Sequence, residues 1–90
     1  MTYGLEISQK LQRVFDKIKK KDKLQAEILK RKIVEILENP RIGKPLTANM
    51  VKIRRVHIRH FVLTYEILEK ENLVRLLDYA HHDAIYQKKF

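Results

Sequence analysis

Hydrophobic and polar residues alternate at the start of the chain, and apolar residues then recur every three or four positions. Residues 3–7 have the two-residue period of a half-buried strand, which predicts a short first strand. Ser8 follows as an N-cap for a helix. The apolar residues of that helix have the i, i+3, i+4, i+7 spacing of one buried face: Leu11, Val14, Phe15 and Ile18.

A second apolar stripe predicts a second helix. Lysines crowd together where the pattern changes phase, and Asp22 followed by Gln25 resembles a helix cap, so a break near Lys21 is predicted. One long helix is the alternative. The second helix is predicted to end at Asn39, because Pro40 disfavours helical backbone at the residue before it.

The second half of the chain is typical of a β-sheet. Gly43 and Pro45 predict a loop over residues 40–49. Runs of β-branched and aromatic residues predict three strands, at 51–58, 61–68 and 73–79. Because short turns favour antiparallel neighbours, the predicted fold class is α+β, with two N-terminal helices packed on an antiparallel sheet of about four strands in the order β-α-α-β-β-β. Residues 81–90 are predicted to add no more than a helical turn.

Charge distinguishes the middle of the chain. The 90 residues, which are enough for a single domain (1–90), have a net charge of +9, and residues 39–65 contain no Asp or Glu. This balance favours nucleic acid, an anionic membrane or an acidic protein as a partner. The candidate phosphate-binding residues are the cations of this region: Arg41, Lys44, Lys52, Arg54, Arg55 and Arg59.

Several function classes are disfavoured. The chain has no cysteine, which excludes disulfides and thiolate chemistry, and its two glycines exclude a glycine-rich nucleotide-binding loop. His57 and His60 are three residues apart on a predicted strand and should point to opposite faces, so we expect no metal and no other cofactor. No apolar run is long enough for a signal peptide or a membrane span, so we expect a cytoplasmic protein without membrane contact.

The chain resembles the RelE/ParE superfamily of type II toxins. The resemblance lies in the predicted order of elements and in four phrases, ILENP, GKPL, LTYEI and LLDYAHHDAIY. In that family a helix ends at a similar NP, a KPL loop follows, a YEI-like strand comes next, and the chain closes on a signature in which His or Arg precedes an aromatic residue. The likeness covers most of the chain.

Membership would imply a ribosome-dependent mRNA endoribonuclease with metal-free acid–base chemistry. The resemblance makes His82 the candidate acid and Tyr86, four residues later, a residue that stacks on a base. Either His57 or His60 would match a histidine of YafQ-like members. It also implies that mRNA and the ribosome are partners, and that an acidic, helical, RelB-like antitoxin holds the toxin in a hetero-oligomer.

The chain also departs from the family. RelE-like members have an arginine shortly before the YEI tyrosine, whereas residues 61–64 here contain none, so a histidine-based site is the closer match. Two other functional hypotheses stay open: a ParE-like toxin that acts on gyrase, and a catalytically silent nucleic-acid binder or co-repressor. Under the nuclease hypothesis, we expect folding to gather cations and imidazoles into a concave patch free of carboxylates.

Overall fold

The computed structural model describes residues 2–47 and 52–85. The elements are, in chain order, strand β1 (Gly4–Glu6), helices α1 (Gln9–Lys21) and α2 (Lys23–Glu38), a 3-10 turn (Pro40–Ile42), strands β2 (Lys44–Pro45), β3 (Ile53–Ile58), β4 (Phe61–Leu68) and β5 (Leu73–His81), and the single-turn helix α3 (His82–Ile85). The predicted α+β class is confirmed.

The two long helices form a hairpin that breaks where the capping pattern predicted. Ser8 Oγ accepts a hydrogen bond from the Leu11 backbone N–H at 3.1 Å, which begins α1. Asp22 serves both helices, because its backbone N–H donates to Ile18 O at 2.8 Å and its carboxylate accepts from the Gln25 N–H at 3.0 Å. No helix within residues 2–47 and 52–85 is long and apolar enough to cross a bilayer.

Within the described residues, the sheet has five strands in the order β1-β5-β4-β3-β2, one more than the prediction of about four. The added strand is β2, which lies in the predicted loop and pairs with Arg54 and Arg55 at the sheet edge. β1 pairs with β5 in parallel, so the sheet is mixed and not wholly antiparallel. The reason is that β1 and β5 are not joined by a short turn, since residues 7–72 lie between them, whereas the short turns between β3, β4 and β5 favour antiparallel pairing.

The helices cover one face of the sheet. Val56 and Leu63 are cross-strand partners, and both belong to the buried core together with Leu11, Leu29 and Ile36 of the helices. Side chains alternate along a strand, so the neighbouring positions project from the second face. That second face includes two cross-strand pairs, Arg55 with Thr64 and His57 with Val62.

Helix α3 covers part of this second face. Val62 and Thr64 are fully buried although the long helices lie on the opposite side of the sheet. α3 contacts β4 and β5, and its Ile85 is also fully buried. After β5 the chain therefore folds back over the second face. This brings residues from the end of the β-region close to residues from its earlier strands.

Candidate active site

Two histidines meet on the second face of the sheet. The ring of His57, in β3, stacks on the ring of His82, at the start of α3, with ring centroids 5.5 Å apart and an angle of 28° between the planes. The backbone N–H of His82 donates to the carbonyl oxygen of His60 at 2.9 Å, which ties α3 to the turn between β3 and β4. Two of the four predicted catalytic residues are therefore adjacent.

Two cations lie beside the histidine pair. Lys44 of β2 is the cross-strand partner of Arg55, so both project from the face that carries His57. Arg55 Nη1 donates to Pro45 O at 3.0 Å, which holds the guanidinium at the sheet edge. The site thus combines two imidazoles with an ammonium and a guanidinium group.

Partial burial and the neighbouring basic groups lower the pKa of His57 below its ordinary value of 6.5. Partial burial is the largest cause, followed by the positive charge of Arg55 and then by His82 and Lys44, all of which disfavour a second positive charge on the ring. This lowered pKa favours the neutral form of the His57 ring. A neutral imidazole has one nitrogen free to accept a proton, which is the state that a general base requires.

A carboxylate lies next to His82, and the expected absence of carboxylates from the patch is therefore wrong at its α3 edge. Asp83 Oδ1 is 3.5 Å from His82 Nδ1, and Asp83 Oδ2 is 3.8 Å from His81 Nδ1. The reason is local, because Asp83 is in the first turn of the short helix that carries His82. A carboxylate at this distance can orient an imidazole ring.

A buried tyrosine fixes the segment that carries Lys44. Tyr65 is fully buried, and its hydroxyl donates to Pro40 O at 2.5 Å and accepts from the Gly43 N–H at 3.0 Å. Arg54 Nη1 donates to Gly43 O at 2.6 Å. We call these four residues, Pro40, Gly43, Arg54 and Tyr65, the Tyr65 clamp. It holds the chain just before β2 against the sheet and so sets the position of Lys44.

Gly43 is required in the clamp by close approach. A Cβ atom at this position would clash with the Tyr65 hydroxyl and would lie 2.9 Å from the carbonyl oxygen of Arg55. Burial raises the pKa of Tyr65 above 10, so the phenol remains a hydrogen-bond donor at neutral pH. Sequence reasoning missed this clamp, because Tyr65 and Gly43 signalled only a strand and a loop.

The other predicted cations do not join the histidine pair. Arg41 forms an ion pair with Glu69 at the far end of β4, and Arg54 is held by the Gly43 carbonyl in the Tyr65 clamp. Arg54 and Arg55 point to opposite faces, as expected of consecutive strand residues. Lys52 precedes β3 and lines a surface hollow with Arg41 and Glu69, also away from the pair.

Arg59 and His60 form the turn between β3 and β4, where Arg59 has a φ of 58°. Both side chains are exposed, and His60 approaches the site only through its backbone carbonyl. Of the two alternatives for the central-strand histidine, the geometry therefore favours His57. Tyr86 lies outside the described residues, and its stacking role stays a prediction. Across residues 2–47 and 52–85, no three histidine or carboxylate side chains are grouped so as to hold a metal ion.

An apolar groove lies between the helical hairpin and this turn. Its volume is about 430 Å³, and both helices contribute to its walls along with Arg59 and His60. Phe61 lies along it, 37% exposed, and stacks on Tyr79 with ring centroids 5.1 Å apart. Lys17 and Lys21 stand on its helical side. Sequence reasoning did not identify this groove.

Comparison with known proteins identifies the class of protein to which this chain belongs. The sequence model of the ParE toxins of type II toxin–antitoxin systems (parDE) matches residues 5–86. A Methanocaldococcus jannaschii protein provisionally named toxin RelE4 is 36% identical over 88 residues, 97% of this chain and 94% of that protein. An uncharacterised protein of Methanosarcina mazei is 49% identical over 85 residues, 93% of this chain and 99% of the relative.

The fold is also that of solved toxin structures. A mutant form of the E. coli toxin RelE, determined in complex with an antitoxin RelBc peptide, superimposes with a TM-score of 0.75 and 23% identity, covering 100% of this chain and 99% of that one. The chain belongs to the ParE toxin family, and it is a type II toxin of the RelE/ParE superfamily.

Proposed function

We propose that this toxin is an endoribonuclease that cleaves mRNA on the ribosome by metal-free acid–base chemistry. The observation that carries the proposal is the stacked pair of His57 and His82 beside Arg55 and Lys44, on the sheet face opposite the long helices. Cleavage of an RNA backbone by its own 2′-hydroxyl needs a base, an acid and cations around the phosphate, and these four side chains can supply all three.

In the proposed reaction, neutral His57 removes the proton from the 2′-hydroxyl as its oxygen attacks the adjacent phosphorus. Protonated His82 donates a proton to the departing 5′-oxygen as the bond from phosphorus to that oxygen breaks. The products are a 2′,3′-cyclic phosphate and a 5′-hydroxyl. The lowered pKa of His57 supports its assignment as the base, and Asp83 Oδ1, 3.5 Å from His82 Nδ1, can orient the ring that is proposed to donate the proton.

Positive charge stabilises the phosphate during the reaction. Arg55 can present a planar, permanently charged guanidinium to the phosphate oxygens, whereas Lys44 acts as a point charge. Arg55 therefore takes the place of the arginine that RelE-like members have before the YEI tyrosine. Tyr86 is proposed to stack on a neighbouring base, as the closing signature implies.

The proposed partners follow from this activity. The mRNA would be presented by the ribosome, which places the toxin in the cytoplasm. An antitoxin is proposed as the inhibitory partner in a hetero-oligomer, supported by the E. coli RelE structure, which contains an antitoxin RelBc peptide. An acidic amphipathic segment would complement the apolar groove bordered by Lys17, Lys21 and Arg59.

Induction of the toxin followed by primer extension on cellular mRNA tests the proposal. We expect growth arrest with breaks in phase with codons. His82→Ala combined with Tyr86→Phe should relieve the arrest and remove the breaks. Persistent breaks in that double variant would overturn the assigned site, and growth arrest with intact mRNA would overturn the nuclease activity.

A second candidate function is inhibition of DNA gyrase through protein contacts. The specific observation in its favour is that the matching sequence model is that of the ParE toxins. The two functions differ in their product, because a gyrase inhibitor leaves mRNA intact and produces broken DNA. Assays of the same induced cells for DNA breaks and for mRNA breaks therefore distinguish them.

A further inference from the structure

A small cationic hollow adjoins the histidine pair at the sheet edge. Its volume is about 250 Å³, and three elements contribute its basic side chains: Lys32 from α2, Lys44 from β2, and Arg55 and His57 from β3. Ile42 and Val56 complete the lining. Of these side chains, Lys32 was not singled out by the sequence, because it lies in a helix far from the basic stretch.

We propose that this hollow binds the phosphate next to the scissile one, and that Lys32 is a phosphate-binding residue. The inference rests on the proposed function for the identity of the ligand as single-stranded RNA. His57 lines the hollow and also stacks on His82, so a phosphate in the hollow borders the reacting phosphate. The RNA strand would then leave the second face across β2 and run toward α2.

The charges of the hollow favour a phosphate over a neutral group. Cations that converge on a concave surface strengthen one another's field and attract an anion. Lys32 Nζ is 3.2 Å from the Glu35 carboxylate, but the Glu35 side chain is 57% exposed. The two residues are three positions apart and form an ion pair on the surface of the helix. Such a pair is screened by solvent, so Lys32 can exchange this carboxylate for a phosphate.

The salt dependence of binding tests the role of Lys32 without requiring cleavage. A 2′-O-methyl oligonucleotide lacks the attacking hydroxyl, so it can be bound but cannot be cut. For the wild type and for Lys32→Gln, the dissociation constant is measured from low to moderate salt. Lys30→Gln is the matched control, because Lys30 is an exposed lysine of the same helix that does not line the hollow. Lys32→Arg retains the charge.

We expect Lys32→Gln to reduce the slope of log K against log salt by about 0.7, the effect of one lost phosphate contact on single-stranded nucleic acid. Lys30→Gln and Lys32→Arg should keep the wild-type slope. Equal slopes for Lys32→Gln and Lys30→Gln, or no binding of the oligonucleotide at low salt, would overturn the inference. Because no step is catalytic, a protein that binds through Lys32 but cleaves no RNA would refute only the nuclease activity.

Discussion

Removing one oxygen atom from the core should destabilise this protein strongly. In Tyr65→Phe the ring stays in place, but two buried backbone groups lose their partner, the carbonyl of Pro40 and the N–H of Gly43. Each unsatisfied buried group costs about 1–3 kcal/mol. We therefore expect a loss of about 2–6 kcal/mol for the two groups together, which is a large part of the roughly 5–15 kcal/mol that stabilises a small domain.

Urea denaturation followed by circular dichroism measures this loss. Tyr3→Phe is the matched control, because the Tyr3 hydroxyl donates to the exposed Glu69 carboxylate at 3.0 Å and its removal leaves no buried group without a partner. The control should unfold close to the wild-type midpoint. In thermal denaturation, also followed by circular dichroism, the midpoint of Tyr65→Phe should fall by about 8 °C or more. Equal midpoints for the two variants would refute the argument that the Tyr65 clamp holds the chain before β2.

Three further outcomes follow from the same geometry. Burial raises the folded-state pKa of Tyr65 above 10. The stability that the neutral Tyr65 hydroxyl contributes is therefore complete below pH 10 and declines as the pH rises above that value. Urea midpoints measured from pH 8 to 11 should consequently fall less steeply in Tyr65→Phe than in the wild type. The acidic limb of the pH–rate profile for mRNA cleavage on ribosomes should lie below pH 6.5, because the pKa of His57 is lowered, and Lys44→Gln should move that limb to higher pH. Gly43→Ala should cost about 1–3 kcal/mol by overpacking, whereas Gly4→Ala should cost less in the same urea assay, because it meets a flexible leucine side chain.

Local signals in the sequence predicted most of the elements. Asp22 caps two helices and so determines where the hairpin breaks, and Pro40 ends α2 through its effect on the preceding residue. The positions of the turns between β3 and β4 and between β4 and β5 were also predicted, although Arg59 and Asn72 adopt φ values of 58° and 56° without being glycine. These features depend on neighbours within a few residues, which a single sequence displays directly.

Pairings between distant segments could not be read in the same way. The parallel alignment of β1 with β5 and the two-residue strand β2 depend on the assembled sheet edge. The same holds for the Tyr65 clamp, which joins a loop glycine to a strand tyrosine through hydrogen bonds. Residue types and the family resemblance pointed to His82 and to either His57 or His60, but only the strand register and the fold of α3 bring the rings of His57 and His82 together.

The central claim is that His57 and His82 act together in cutting RNA, and the chemistry of the cut ends tests it most directly. Purified toxin is incubated with ribosomes programmed with mRNA, and the 3′ ends of the fragments are identified. We expect 2′,3′-cyclic phosphate ends, reduced about 100-fold or more in His57→Ala and in His82→Ala. His81→Ala should retain activity, because that ring packs edge-on against Phe61. Fragments with 3′-hydroxyl ends, or undiminished cleavage by both histidine variants, would contradict the account.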